Sequence, residues 1–306
     1  MQVKHFTDFR SIGKEEILSI IEMAEEFKRR GYPRDLLRGR CIAMIFEKPS
    51  TRTRFAFNSA IAKLGGSSIN LSTTEMQLSR GEPILDTAKV LSRYVDVIVA
   101  RLYSHRTMEE LAKYSEVPVV NALTDVHHPT QALADVMTIH EHAGDLNAVK
   151  LAYVGDGNNV CNSLLQIAGK LGMHMSVASP PAYSVREDIL SEVVAWAKTS
   201  NAKIEIHEDP GDAVRGADFV YTDVFVSMGS EAERERRMRE FIPRYQVNRT
   251  LLSYAKPTVK FMHCMPMYRG EEVTPDVADS PLSLVYEQAE NRMHTFGALL
   301  RYLLGV

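Results

Sequence analysis

Short apolar runs alternate with amphipathic helical stretches along this chain, and the alternation happens twice. In the first half, runs at 42–46, 67–71, 96–100 and 117–121 are separated by stretches whose apolar residues recur every three or four positions, such as Phe57, Ala60, Ile61 and Leu64. Ile17, Ile20, Ile21 and Ala24 have the same spacing earlier on, and Ile84, Leu85, Ala88 and Leu91 repeat it later. Such spacing predicts helices with one apolar face, and short continuous apolar runs predict buried strands. A helix opened by Pro129 runs to about His142 and is followed by the turn Gly144-Asp145-Leu146-Asn147. The pattern then restarts, with strands predicted at 150–154, 174–178, 203–206, 218–222 and 258–262. Helices are predicted between them, and a last one from about Glu287 to Leu304. Alternation of this kind builds parallel sheets covered on both faces. The expected fold class is α/β with two domains, each a parallel sheet flanked by helices. The boundary is expected near 142, with 1–142 as the first domain and 143–286 as the second.

A length of 306 residues suits two domains of ordinary size, and 45% hydrophobic with 25% charged residues suits packed cores in a soluble chain. A formal net charge of -3 gives no reason to expect nucleic acid or an anionic membrane as partner. No apolar run reaches the roughly 18 residues of a membrane span, and Met1-Gln2-Val3-Lys4-His5 lacks a signal-peptide core. Cys41, Cys161 and Cys264 are odd in number, widely spaced and form no CxxC pair. They point away from a disulfide framework or a zinc site and toward a cytoplasmic setting.

In open parallel sheets, ligands sit beyond the carboxyl ends of the strands. The polar motifs of this chain fall at such ends. After the strand at 42–46 comes Glu47-Lys48-Pro49-Ser50-Thr51-Arg52-Thr53-Arg54. Ser50 is placed to cap the next helix, and two hydroxyls and two arginines crowd its first turn. A helix start offers unpaired N–H groups and partial positive charge, which suits a phosphate, and arginine adds a forked, permanent cation. Arg101 ends the third strand. His127-His128-Pro129-Thr130-Gln131 enters a helix; adjacent histidines point apart, so they do not share a metal. Gly155-Asp156-Gly157-Asn158-Asn159 opens another helix. Val160 stands where a dinucleotide-binding GxGxxG needs glycine, and the following strand ends without an acid for a ribose, so a nicotinamide enzyme is a poor reading. Asp223-Val224-Phe225-Val226-Ser227-Met228-Gly229 follows the strand at 218–222, and His263-Cys264-Met265-Pro266 ends the one at 258–262. Neighbouring strand residues face opposite ways, so His263 does not serve Cys264 as the base of a covalent nucleophile. Between the second strand and its helix, 72–83 is a long polar stretch, as lids and binding loops often are.

Five of these motifs, Ser-Thr-Arg-Thr-Arg, His-Pro-Thr-Gln, Asp-x-x-x-Ser-Met-Gly, His-Cys-Met-Pro and Glu-Asn-Arg at 290–292, stand in this order over nearly the whole chain. Together they resemble the aspartate/ornithine carbamoyltransferase family. Met265 replaces the family's leucine, which keeps size and polarity. The resemblance implies that carbamoyl phosphate binds at Ser50, Thr51, Arg52, Thr53, Arg101 and Arg292, and that the final helix, 287–306, packs back on the first domain to deliver Arg292. It implies that Thr53, Arg101 and His128 hold the carbamoyl oxygen, while Gln131 and the Met265 carbonyl hold the amide. Gln77 is implied to reach in from a neighbouring subunit, so a homotrimer, or a multiple of it, is expected. Asn159, Asp223, Ser227 and the Met228 backbone are implied to hold the α-groups of ornithine, with Cys264 against the attacking amine. Thr53, Arg101, His128 and Cys264 would then be the catalytic residues, with no metal and no organic cofactor. Lys48 and the Ser-Met-Gly loop look like the ornithine branch; an aspartate enzyme would need a positive group at Asp223. Tyr268-Arg269-Gly270-Glu271-Glu272-Val273 is shared in style with putrescine carbamoyltransferases, which keeps that amine as an alternative. A non-catalytic relative that binds small anions is the other class weighed, and five intact motifs count against it.

Overall fold

The structure is a computed structural model and describes residues 3–227 and 231–306. The chain divides into two compact units, Met1–Met137 with Ala289–Val306, and Thr138–Gln288.

In the first unit, β1 (Cys41–Phe46), β2 (Ser67–Ser72), β3 (Val97–Arg101) and β4 (Val119–Leu123) form a sheet in the order β2-β1-β3-β4. Every pair is parallel, and Phe46 lies in register with Arg101. The inner strands β1 and β3 are almost wholly buried, which is why they read as unbroken apolar runs. The edge strand β2 carries three serines and an asparagine and is largely open. The strands are joined by α2 (Arg52–Lys63), α3 (Ile84–Leu91) and α4 (His105–Tyr114); α1 (Lys14–Arg30) precedes them, and α5 (Pro129–Ala143) follows and runs on into the second unit. One core cluster packs Ala43, Ile45, Ile98 and Ala100 of the sheet against Met108 and Leu111 of α4. Ile45, Ile98, Met108 and Leu111 each contribute about 1.5–3 kcal/mol when fully buried, and the alanines less.

In the second unit, β5 (Lys150–Val154), β6 (His174–Ala178), β7 (Lys203–His207), β8 (Phe219–Tyr221) and β9 (Lys260–Met262) form an all-parallel sheet, β7-β6-β5-β8-β9. Its helices are α6 (Asn159–Leu171), α7 (Glu187–Ser200), α8 (Pro210–Val214), α9 (Arg234–Phe241), α10 (Arg249–Leu252) and α11 (Pro275–Ala278). Val154, Val220 and Phe261 of the strands meet Phe225, Phe241 and Tyr245 in its core.

The last helix, α12 (Val285–Leu304), gives most of its length to the first unit. Phe296 stacks on Phe57 of α2 with ring centroids 3.6 Å apart. The Tyr32 hydroxyl lies 2.9 Å from His294 Nδ1, and Lys28 Nζ donates to Asn291 at 2.9 Å. The helix therefore returns to the first-domain helices, as the resemblance implied.

Two local expectations need correction. Ser50 is not a cap: the residue flanking α2 is Thr51, already helical at φ -87° and ψ -61°, with no side-chain cap bond. A helical backbone there turns the hydroxyl away from the N–H groups a cap would reach. The stretch 72–83 is not plain loop either; it holds two tight 3-10 turns, Thr73–Glu75 and Gln77–Arg80. Glu75 reaches back to the Ser72 N–H at 2.7 Å and closes the first of them.

Candidate active site

Strand order decides which loops meet. In each sheet one pair of neighbouring strands feeds loops that leave in opposite directions, and such a switch point opens a crevice at the carboxyl ends. In the first sheet the pair is β1 and β3; in the second it is β5 and β8.

At the first switch point, the loop after β1 is pinned to the end of β3. The Glu47 N–H donates to the Arg101 carbonyl at 2.9 Å, and Glu47 Oε2 accepts from the Tyr103 N–H at 2.6 Å. Lys48 is buried with its ammonium 4.2 Å from the centre of the Tyr103 ring, and the Arg54 guanidinium lies 4.3 Å from that of Phe46. These contacts hold the start of α2 beside Arg101. Thr53, Arg101, His128, Gln131 and Arg292 are all buried here. Arg292 donates to Gln131 Oε1 and, at 3.2 Å, to Thr53 Oγ1. Gln131 Nε2 donates in turn to Asp135 at 2.8 Å, which fixes the amide's orientation.

His128 is held well below its ordinary pKa, first by burial and then by the guanidiniums of Arg292 and Arg101. It is a neutral imidazole, able to donate one hydrogen bond but not to act as a strong acid. In the unfolded chain a histidine takes up its proton near pH 6.5. The folded state resists that proton, so His128 lowers stability as pH falls below about 6.5. A His128→Gln chain should therefore lose less melting temperature between about pH 7 and pH 5 than the parent, as followed by circular dichroism.

Ser50 is half-buried, and Thr51 and Arg52 are exposed; among the described residues none of the three side chains makes a hydrogen bond. Gln77 is exposed in its 3-10 turn.

At the second switch point, Asp223 is the hub. Its Oδ2 accepts from Asn158 Nδ2 at 2.7 Å, and its Oδ1 accepts from the Val224 N–H at 2.9 Å and from Cys264 Sγ at 3.2 Å. Asn158 also caps α6, accepting from the N–H groups of Val160 and Cys161 at 3.0 and 3.1 Å. Asn159 is the first residue of α6, half-buried, and Ser227 is half-buried at the end of the described loop. Met228 lies outside the described residues. Met265 has φ 55°, an uncommon left-handed conformation, and its N–H donates to His263 Nδ1 at 2.8 Å. That bond leaves Nε2 as the protonated nitrogen, facing buried Glu272 at 3.1 Å.

Several residues that hold this half together escaped the sequence reading. Asn158 does carry a signal in the sequence, since an asparagine just before a helix is a capping residue. Arg237 donates to Asp156 Oδ2 at 2.7 Å and to the Phe225 carbonyl at 3.1 Å, joining the loops after β5 and β8. Burial lifts the Asp156 carboxyl above its usual range, and Arg237 offsets part of that. Nothing in a charged helix start singles out Arg237 among its neighbours.

Comparison with known proteins gives two family matches. Residues 4–141 match the carbamoyl-P binding domain, and residues 147–303 the Asp/Orn binding domain, of aspartate/ornithine carbamoyltransferase. The chain is 50% identical over 300 residues to an ornithine carbamoyltransferase of Bacillus thuringiensis subsp. konkukian, spanning 98% of this chain and 94% of that protein. It is 52% identical over 294 residues to an anabolic ornithine carbamoyltransferase of Pyrococcus furiosus, spanning 95% and 93%. Among solved structures, ornithine carbamoyltransferase from Pyrococcus furiosus superposes with a TM-score of 0.95 at 49% identity, covering 99% of this chain and 97% of that one. The anabolic enzyme of Campylobacter jejuni does so with 0.92 at 41%, covering 98% of each.

Proposed function

The chain belongs to the aspartate/ornithine carbamoyltransferase family, and from that premise we propose that it transfers the carbamoyl group of carbamoyl phosphate to the δ-amine of L-ornithine, giving L-citrulline and phosphate. Carbamoyl phosphate is held by Ser50, Thr51, Arg52, Thr53, Arg101 and Arg292. The neutral δ-amine attacks the carbonyl carbon, and Thr53, Arg101 and neutral His128 donate to the developing oxyanion. The carbon–oxygen bond to phosphate breaks, phosphate leaves against the arginines and takes the amine's proton. Holding two small substrates in line supplies much of the acceleration.

The observation that carries the choice of amine is Asp223. Its carboxylate is fixed by three donors at a switch point, and an acid so held suits an α-ammonium, not the carboxylate an aspartate enzyme must recognise. Asn159, Ser227 and the Met228 N–H complete the grip on the α-groups. Specificity constants for ornithine, putrescine, N-acetylornithine and aspartate at saturating carbamoyl phosphate test the reading. Ornithine should lead; a higher value for putrescine would move the chain to the other amine.

Cys264 is assigned to the attacking amine by position, not by covalent chemistry. It loses one hydrogen bond to Asp223 on truncation, about 1–2 kcal/mol. Cys264→Ala should keep turnover and lose roughly five- to thirtyfold in kcat/KM for ornithine. Mass spectrometry during turnover should find no carbamoyl thioester on the parent chain.

We place Gln77 in the site of a neighbouring subunit, in a cytoplasmic homotrimer. What supports this is its exposed side chain next to edge strand β2, together with exposed Phe55 and Tyr94, each at 72%, on the same unit. Mixing Arg101→Ala chains with Gln77→Ala chains should restore activity absent from either alone, since one site in a mixed trimer regains both residues. A fully active monomer on a sizing column would contradict the trimer.

A further inference from the structure

The first unit buries one polar cluster that carbamoyl transfer does not use. Asp8, His105 and His127 are exposed by only 4%, 7% and 0%. Asp8 comes from the N-terminal segment that Phe6 ties to Val120 of β4, His105 opens α4, and His127 lies in the loop before α5. One ligand-type atom of each lies within 4.8 Å of the others. The two imidazoles stand edge to face with centroids 4.9 Å apart. The Arg10 N–H holds one Asp8 oxygen at 2.7 Å, and the Arg10 guanidinium donates at 3.2 Å to the other, the one that faces His105, so the carboxylate is fixed in place.

His105 shows what the cluster is suited to. Its Nδ1 lies 3.0 Å from Thr124 Oγ1, while its Nε2 is buried with no hydrogen-bond partner. Nε2 faces carboxylate oxygens of Asp8 and Glu109, each 3.8 Å away. That is too long for a hydrogen bond. Two donors on one zinc-like ion, with bonds of about 2.0–2.2 Å, stand roughly 3.3–3.5 Å apart at the tetrahedral angle. The His105 and Asp8 side chains need close by only a few tenths of an ångström, and His127, within 4.8 Å of both, by up to about 1.5 Å. Two imidazoles with a carboxylate suit a borderline transition ion, whereas calcium and magnesium take oxygen ligands. Thr124 on the far nitrogen is the kind of outer contact that orients a metal-bound histidine. We propose that Asp8, His105 and His127 form a binding site for a divalent transition-metal ion of the zinc type, with a water completing its four-coordinate shell. The inference stands apart from the assigned reaction.

A second set of ligand-type side chains, Asp223, His263 and Cys264, lies in the other unit, so the test uses a metal-stripped Cys264→Ser chain titrated with Co²⁺. One equivalent should bind with the visible absorption of tetrahedral cobalt. His127→Gln and Asp8→Asn, each added to that background, should weaken binding by at least about tenfold. X-ray absorption at the cobalt edge of the Cys264→Ser protein, which needs neither variant to fold, should report two imidazoles and oxygen. Affinity weaker than about 1 mM, equal affinity in both variants, or a shell with one imidazole or none would overturn the site.

Discussion

An Arg292→Ala chain is expected to lose carbamoyl transfer by at least about three orders of magnitude in kcat/KM. The guanidinium is buried and donates to Gln131 and Thr53, two groups assigned to the carbamoyl end of the ligand. A hydrogen bond from a charged donor is worth about 1.5–3 kcal/mol. Two of them, with the cation that balances departing phosphate, exceed the roughly 4 kcal/mol that three decades require. Truncation also strands the Gln131 oxygen in a buried place without its donor. Lysine should not rescue the loss, because a point charge cannot fork between two acceptors. Steady-state kinetics with calorimetric titration of carbamoyl phosphate checks this. A rate within tenfold of the parent would remove Arg292 from the site.

Asp223→Asn should cut kcat/KM for ornithine by about two orders of magnitude and leave carbamoyl phosphate affinity near the parent's. The carboxylate accepts from Asn158 on one oxygen and from Val224 and Cys264 on the other. An asparagine amide can accept on one side only, so whichever way it turns a donor faces a donor. The substitution also removes the charge offered to the α-ammonium. Loss of a charge-assisted bond, about 1.5–3 kcal/mol, corresponds to roughly one to two decades, and the donor clash adds to it. Ornithine kinetics at saturating carbamoyl phosphate, set beside carbamoyl phosphate binding to the same variant, measure both halves of the statement. An unchanged constant for ornithine, or a collapse of carbamoyl phosphate binding, would sink the assignment.

Most of the secondary structure was legible because the inner strands are buried on both faces. Val97 to Ala100 and Leu151 to Val154 show as apolar runs for that reason, and α6 falls where the spacing put it. Strand order was not legible. Nothing local to 42–46 or 96–100 says that β3 rather than β2 carries the loop facing the start of α2; that follows from the bonds of Glu47 to Arg101 and Tyr103 beyond the end of β3. The same limit hid the partners of Asp223. Asn158 and Cys264 are distant from it in sequence, and only the β5-β8-β9 neighbourhood brings them within hydrogen-bonding reach. The residues that touch a ligand announce themselves by type and motif. Those that hold them, Asp135 under Gln131 and Arg237 over Asp156, are ordinary helix charges until the fold is known.

The stacking of Phe296 on Phe57 has a consequence for how the chain is made. A growing polypeptide emerges from its amino end, and domains commonly fold as they appear. The first unit cannot do so in full, because the residues that cover Phe57 and supply Arg292 are synthesised only after the whole of the second unit. Until then Phe57 is an uncovered apolar side chain, and Thr53 and Gln131 wait without their arginine. Ribosomes stalled shortly before α12 would therefore display a first unit that is adhesive and unable to retain its anion. Completion of the last few turns of helix converts it, in one late event, to a sealed and ligand-competent form.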